Sequence, residues 1–182
     1  MTPAAPPPPV ISIVGRSRSG KTTLIEKLIP ELVRRGYRIG TIKHTHHEVR
    51  SDREGKDSAR HRAAGAQTVV LASEGEIALF RNAAAPRLEA LLRYFDDVDL
   101  VITEGYKREA RPKIEVLRRA AGESELLCRN DPLLVAVAAD QPLAAPVPVF
   151  SLDDAAGLAG FIVERFFGSR AAGRTPPEDT AR

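Results

Sequence analysis

The sequence predicts an α/β protein with a mostly parallel β-sheet, flanking helices and one added β-hairpin. Short runs rich in Val, Ile and Leu alternate with stretches of helical spacing, as in strand–helix–strand units. The apolar runs 67–72 and 77–80 are separated by a short polar turn at 73–76, which predicts the hairpin. The chain is long enough for a central sheet with helices on both faces, so a three-layer fold is expected.

The first half of the chain alternates strand and helix. An apolar run at 10–14 predicts the first strand. Residues 22–35 place leucines four apart and end before a glycine, so they predict a helix. The run 38–43 predicts the next strand. The stretch 56–64 has helical spacing and is closed by a glycine, so it predicts the second helix.

The second half continues this pattern. Pro86 favours a helix at 87–95, because proline is tolerated in the first helical turn. The last helix is predicted at 153–167, where amphipathic spacing follows an aspartate suited to the N-cap. Further strands are predicted from β-type apolar runs at 99–103, 113–117, 133–139 and 147–150.

Composition indicates one folded domain between two flexible ends. The chain has 182 residues, of which 43% are hydrophobic and 28% charged, and these values suit a globular domain rather than a disordered chain. Residues 1–9 are rich in proline, and 168–182 lack large apolar side chains. The nucleotide-binding domain is therefore expected at 10–167.

Charge and cysteine content narrow the functional classes. The net charge of +3 is too small for a protein that coats nucleic acid, so no nucleic-acid partner is expected. The sequence has no uncharged apolar stretch of about 18 residues, so no membrane span is expected. The single cysteine, Cys128, suits a reducing compartment, and a cytoplasmic location is predicted.

Residues 15–22 match the phosphate-loop pattern G-x-x-x-x-G-K-[ST] at every fixed position. The match lies between a predicted strand and a predicted helix, as the motif requires. Lys21 is expected to reach the β- and γ-phosphates and to stabilise charge during hydrolysis, and the Thr22 hydroxyl is expected to bind Mg²⁺. The residues expected to bind nucleotide here are Gly15, Ser17, Ser19, Gly20, Lys21, Thr22 and Thr23.

A carboxylate should complete the metal site. The predicted strand at 99–103 has Asp99 at its start and Glu104 at its end. Ligands of open α/β sheets bind beyond the carboxyl ends of the strands, so Glu104 lies on the correct side. Glu104 is therefore the predicted metal residue, and Asp99 is expected to be structural.

The histidines are clustered after the second strand. Two readings are open: a zinc or nickel site, or an anion site in which Lys43 and His44 contact a nucleotide. The second is favoured, since this strand end lies at the same sheet edge as the phosphate loop. Asp52 and Asp57 are predicted to orient water or support the metal, although Asp57 also suits a helix N-terminus. The four histidines are His44, His46, His47 and His61.

Two further segments are candidates for ligand contacts. The loop 104–113 is rich in Lys and Arg, and Lys107 in particular is expected to bind an anionic group. The ordinary alternative is a solvated loop. Asp140 follows the predicted strand 133–139 and could accept hydrogen bonds from a guanine edge, although the N-K-x-D signature of many guanine-binding proteins is absent.

Five motifs occur in a specific order: Gly15–Thr22, Lys43-His44-Thr45-His46-His47, Gly55-Lys56-Asp57-Ser58, Arg62-x-x-Gly65-Ala66 and Thr103-Glu104-Gly105-Tyr106-Lys107. Together they resemble the MobB family of molybdopterin-guanine dinucleotide biosynthesis adapter proteins, over about residues 10–140. The resemblance implies a P-loop NTPase fold and a homodimeric GTP-binding protein with weak Mg²⁺-dependent GTPase activity. Its implied partners are the guanylyltransferase that attaches GMP to molybdopterin and the molybdenum-insertion proteins.

The resemblance also implies roles for particular residues. Gly20, Lys21, Thr22 and Glu104 become GTP and Mg²⁺ residues, and Lys107 and the histidine segment become contacts for nucleotide, cofactor or partner. Molybdopterin itself is a further ligand that the family suggests. The alternative function is a metal-delivery GTPase of the nickel or zinc type that uses residues 44–47 as ligands. The absence of a Cys-Pro-His type motif argues against that alternative.

Overall fold

The computed structural model describes residues 6–45, 56–84, 86–119 and 125–168. The chain divides into two compact units. The smaller unit is Thr45–Leu91, and the larger unit is formed by the parts of the sequence before and after it. In chain order the elements are β1 (Val10–Val14), α1 (Lys21–Arg34), β2 (Ile39–Lys43), α2 (Asp57–Ala63), β3 (Thr68–Ala72), β4 (Ile77–Arg81), α3 (Leu88–Leu92), β5 (Leu100–Glu104), β6 (Lys113–Leu117), β7 (Leu134–Ala139), β8 (Val149–Ser151) and α4 (Ala155–Phe167).

The larger unit contains a six-stranded sheet in the order β2-β5-β1-β6-β7-β8, and every neighbouring pair is parallel. This confirms the predicted α/β class and the mostly parallel sheet. The central position of β1 places the end of this strand between the ends of β5 and β6. The residues that follow these three strands therefore meet at one edge of the sheet.

The main hydrophobic core lies between the sheet and the helices α1 and α4. Leu24, Leu28 and Leu32 follow one face of α1 at helical spacing and are at most 2% exposed. They share a cluster with Ile11 and Ile13 of β1. Each fully buried Leu or Ile contributes about 1.5–3 kcal/mol to folding, so this contact fixes α1 firmly behind the phosphate loop.

The segment before β7 forms a second small core with β6 and β7. Leu126 and Cys128 belong to a buried cluster with residues of both strands. The buried Glu115 of β6 holds this segment, because its carboxylate accepts hydrogen bonds from the N–H groups of Leu127, at 2.6 Å, and Cys128, at 2.8 Å. A carboxylate with two main-chain donors satisfies the requirement that a buried charge be hydrogen-bonded.

Two hydroxyl groups connect β1 and β5 inside the sheet. Ser12 and Thr103 are directly paired in the parallel register, and both are fully buried. The Thr103 hydroxyl donates to the Ser12 hydroxyl at 2.9 Å. This hydrogen bond lies between the strand that leads to the phosphate loop and the strand that ends in Glu104.

Lys113 is a structural residue and not part of an exposed basic surface. Sequence reasoning counted it among the cations of the loop 104–113, but it is 2% exposed. Its Nζ lies 3.0 Å from Asp131 Oδ2 and donates to the carbonyl groups of Glu109 and Arg111. Since a buried ammonium group needs a counter-charge and acceptors, Lys113 ties the basic loop to the segment before β7.

We expect acid to weaken the fold partly through Asp131. The Leu133 N–H and then Lys113 hold the pKa of Asp131 below its ordinary value of 3.8. Because the folded pKa is lower than the unfolded one, the stabilisation is present above about pH 4 and is lost as the pH falls through the folded pKa. Urea unfolding between about pH 7 and about pH 2 measures this effect. As the pH falls, the free energy of unfolding should decrease less steeply for Asp131→Asn than for wild type. An equally steep decrease in both proteins would contradict the role of Asp131.

The smaller unit contains the hairpin, and β3 and β4 form a two-stranded antiparallel sheet of their own. The Ser73 N–H donates to the Glu76 carbonyl at 2.9 Å, which closes the turn predicted at 73–76. The Arg62 guanidinium lies 5.8 Å from the centre of the Phe80 ring.

In the part of the chain that the structure describes, no helix has the length and apolarity needed to cross a membrane.

Most element boundaries agree with the prediction within one or two residues, and α3 is the main exception. A helix was expected at 87–95, but α3 ends at Leu92 and a turn follows, in which the Phe95 N–H donates to the Leu92 carbonyl. Phe95 instead packs against β2, where its ring leaves no room for a Cβ on Gly40. This tertiary contact overrides the local helical pattern.

Candidate nucleotide-binding site

The phosphate loop connects β1 to α1 and depends on two glycines. Gly15 has φ 144°, and a Cβ there would lie 2.5 Å from the Val116 carbonyl oxygen of β6. Gly20 has φ 95° and immediately precedes α1. Side chains other than hydrogen would be strained at both positions, so the loop backbone can take this shape only with glycine there.

The loop gathers donors around its interior. The Lys21 Nζ folds back and donates to the carbonyl groups of Gly15, at 3.2 Å, and Arg16, at 2.5 Å. The Ser19 hydroxyl is buried and has no hydrogen-bond partner among the described residues. Buried hydroxyls are normally satisfied, so this group is suited to a ligand oxygen. The N-terminus of α1 adds main-chain donors and a favourable dipole for an anion.

Thr22, Glu104 and Lys43 converge beside the loop. The Thr22 hydroxyl donates to Glu104 Oε2 at 2.9 Å, and the Lys43 ammonium lies 3.4 Å from the same oxygen. The Glu104 side chain is 16% exposed. Parallel pairing places Lys43 directly beside Glu104, and β5 lies beside β1. A hydroxyl and a carboxylate are hard oxygen ligands, so this pair fits Mg²⁺.

His44 is held next to the residues that follow Glu104. Its N–H donates to the Glu104 carbonyl at 3.0 Å, and its ring lies 4.9 Å from the Tyr106 ring. Gly105 and Tyr106 both have positive φ, 99° and 55°, which turns the chain sharply after β5. Partial burial and the nearby Glu109 carboxylate raise the pKa of the Tyr106 hydroxyl, so this group remains protonated at neutral pH.

Asp140 and Lys107 lie in the same unit as the loop. Both Asp140 oxygens accept hydrogen bonds from the Arg119 N–H, at 3.0 and 3.3 Å, so this carboxylate fixes the chain after β6. Lys107 is exposed and lines a cavity of about 360 Å³ together with Arg108 and the segment 126–131. Neither position touches the Thr22–Glu104 pair through any hydrogen bond or ion pair that the structure records.

The remaining predicted residues lie elsewhere or outside the described chain. Asp57 is the first residue of α2 in the smaller unit, where its exposed carboxylate lies 3.6 Å from Arg60. Asp52, His46 and His47 lie outside the described residues. Among the described residues, no three His, Cys, Asp or Glu side chains form a group that could hold a metal ion.

Asp99 has the structural role expected of it. Its carboxylate accepts from the Arg38 N–H at 2.8 Å at the amino end of β5. It is therefore at the opposite sheet edge from Glu104.

Sequence reasoning missed Arg118, which follows β6. A Cβ on Gly20 would lie 3.8 Å from the Arg118 Cζ, so the guanidinium lies beside the phosphate loop. Only the strand order reveals this neighbour, since β6 pairs with β1 although nearly a hundred residues separate them. The sequence signal is limited to an arginine directly after a strand.

A comparison with known protein families finds a match that spans both the phosphate loop and Glu104. A family model described as "Molybdopterin guanine dinucleotide synthesis protein B", MobB, matches residues 10–140. The chain belongs to the MobB family.

Individual MobB proteins match over most of their length. The "Molybdopterin-guanine dinucleotide biosynthesis adapter protein" of Haemophilus influenzae is 39% identical over 168 residues, which cover 89% of this chain and 93% of the relative. The protein of the same name from Escherichia coli is 40% identical over 161 residues, covering 86% and 92%.

Solved structures of the MobB family have the same fold. A crystal structure of "molybdopterin-guanine biosynthesis protein B (mobB)" has a TM-score of 0.70 at 31% identity, covering 86% of this chain and 98% of that one. A MobB homolog from Bacillus stearothermophilus has a TM-score of 0.64 at 30% identity, with 86% and 97% covered. The similarity of fold therefore extends over most of the chain.

Proposed function

We propose that this protein is a GTP-binding adapter in molybdenum cofactor biosynthesis. It assists the guanylyltransferase that attaches GMP to molybdopterin, and it has weak Mg²⁺-dependent GTPase activity. The observation that carries the proposal is the 2.9 Å hydrogen bond between Thr22 and Glu104 beside a complete phosphate loop, in a chain of the MobB family. The names of the relatives support the role in molybdopterin-guanine dinucleotide biosynthesis, and the geometry of the site supports nucleotide binding.

The residues of the loop fit a nucleotide with Mg²⁺. The main-chain N–H groups that follow Gly15 and Gly20 would hold the phosphates, with Lys21 as the neutralising charge. Thr22 would hold Mg²⁺ and Glu104 would support it. When bound, Mg²⁺ neutralises phosphate charge and fixes the orientation of the phosphate oxygens.

The partners of Glu104 suit a supporting role at Mg²⁺. Its carboxylate accepts from Thr22 and lies beside the Lys43 ammonium. In this proposal turnover is slow, in keeping with an adapter rather than a metabolic enzyme. In this proposal the protein works in the cytoplasm as a homodimer, and its partners are the transferase and the molybdenum-insertion proteins.

A reconstituted transferase assay tests the adapter role. We expect this protein with GTP and Mg²⁺ to increase the rate of molybdopterin guanine dinucleotide formation by a guanylyltransferase of the same pathway. Because the proposed effect needs bound nucleotide, Thr22→Ala should stimulate less at limiting GTP, and the stimulation should recover as GTP is raised. Formation of the dinucleotide at the same rate with and without wild-type protein would refute the adapter role.

A further inference from the structure

Arg118 lies at the rim of the phosphate loop because of the way β6 pairs with β1. The carbonyl group of Val116 is so close to Gly15 that only glycine fits there. Two residues later, the Cζ and Nη1 atoms of Arg118 lie 3.8 and 3.9 Å from the position of a Cβ on Gly20. One side of the loop is therefore covered by the end of β6, and the guanidinium lies near Gly20, the residue directly before Lys21.

Asp140 determines where this arginine lies. The paired register of β6 and β7 ends at Leu117 and Ala139. Beyond it, the Asp140 carboxylate accepts from the Arg119 N–H through both oxygens. The main chain on the C-terminal side of Arg118 is thereby fixed, in addition to the strand on its N-terminal side. With its main chain fixed on both sides, Arg118 needs less main-chain ordering when it binds an anion.

The charge of Arg118 also acts on Asp153, the ion-pair partner of Lys27 in α1. It contributes to the lowered pKa of Asp153, after the larger effects of the Lys27 hydrogen bond and the Lys27 charge. Lys27 itself lies 2.7 Å from Asp153. Arg118 is exposed, so a ligand at the loop can reach it. Planar guanidinium groups bind phosphate oxygens through two parallel hydrogen bonds.

We infer that Arg118 is a nucleotide-binding residue of this site, which contacts a phosphate of the bound nucleotide, and that Asp140 is its positioning residue. The inference rests on the proposed GTP-binding function. It changes the role expected for Asp140, which holds the main chain that carries Arg118 instead of reading the guanine edge.

Calorimetric titration with GTP and GDP tests the arginine. Arg118→Ala should lower the affinity for both nucleotides by about tenfold. This is the effect expected for the loss of one charged hydrogen bond at an exposed site. Arg118→Lys should recover part of the loss, since it restores the charge without the planar fork. Arg165→Ala, in the last turn of α4, removes an equal charge away from the loop and should bind like wild type. Wild-type affinity in Arg118→Ala would overturn the inference.

A double-mutant cycle tests the positioning role. Asp140→Ala should weaken GTP binding by nearly the same factor as Arg118→Ala, and the double variant should lose little more. Asp140→Asn should lose less, because its amide oxygen still accepts from the Arg119 N–H. Losses that multiply in the double variant would show that Asp140 contacts the nucleotide separately and would overturn the positioning role.

Two controls keep the outcomes distinct. If the wild-type protein itself does not bind GTP, the proposed function fails. If the wild type binds and Arg118→Ala binds equally well, only the present inference fails. Thermal unfolding of each variant should match wild type, since neither side chain is buried. A correctly folded Arg118→Ala protein with weak GTP binding identifies a ligand contact.

Discussion

Replacing Lys21 by alanine is expected to lower the affinity for GTP by on the order of a hundredfold, which at ordinary protein concentrations abolishes binding. The lysine is the first residue of α1, and its ammonium group reaches into the phosphate loop. A charged hydrogen bond to phosphate contributes about 1.5–3 kcal/mol, and about 1.4 kcal/mol corresponds to a factor of ten. The substitution also removes the charge that balances the β- and γ-phosphates.

Isothermal titration with GTP and Mg²⁺ measures this effect. Lys27→Ala is the matched control, because Lys27 lies on the same helix and pairs with Asp153 at 2.7 Å. It should bind GTP almost as wild type does. Thermal unfolding should show that Lys21→Ala remains folded. The shape of the loop depends on Gly15 and Gly20, and the hydrogen bonds of the Lys21 ammonium group are an addition to it. Unchanged GTP affinity in Lys21→Ala would contradict the nucleotide-binding proposal.

Replacing Glu115 by alanine is expected to lower the free energy of unfolding by about 3–5 kcal/mol. The side chain is 1% exposed, and its oxygens accept from two main-chain N–H groups. Alanine leaves both donors without their partner and opens a cavity. The unsatisfied Cys128 N–H is buried and costs about 1–3 kcal/mol, and the partly buried Leu127 N–H and the cavity add to this loss. This is a large part of the about 5–15 kcal/mol that stabilises a typical domain.

Urea unfolding at neutral pH measures the change, with Glu125→Ala as the control because Glu125 is exposed. Glu115→Gln should lower the free energy of unfolding less than Glu115→Ala does, since the amide oxygen of glutamine still accepts a hydrogen bond. A thiol reagent gives a second measurement. Burial, then Glu115 and Asp131, raise the pKa of the Cys128 thiol to about 11, so the wild-type thiol should react slowly. Faster reaction is expected in Glu115→Ala. A stability equal to wild type would contradict the proposed role of this carboxylate.

The sequence was sufficient to predict the sheet class, the phosphate loop and the hairpin, because each depends on local patterns. Apolar runs identify strands, and the fixed positions of 15–22 identify the loop. Glu104 could be singled out in the same way, since it follows a strand on the ligand side of an open sheet. Its role as a metal residue stays a prediction.

The remaining site features depend on strand order, which local patterns do not contain. Arg118 adjoins Gly20 only because β6 lies next to β1. Lys113 was expected in an exposed basic loop, yet it is buried against Asp131. Nothing in the spacing of the two residues reveals this pair, since they come together through the parallel pairing of β6 and β7, in which Lys113 lies beside Leu134.

The hydroxyl pair between β1 and β5 fixes how accurately Thr22 and Glu104, the proposed Mg²⁺ residues, are aligned. A slip of these strands by one residue would shift β5 by about 3.3 Å along its axis, more than the 2.9 Å between Thr22 and Glu104. The same slip would turn Thr103 to the opposite face of the sheet and leave two buried hydroxyls without partners. Mispaired strands are thus penalised inside the core, and the alignment of Thr22 with Glu104 is enforced by a hydrogen bond that belongs to neither residue.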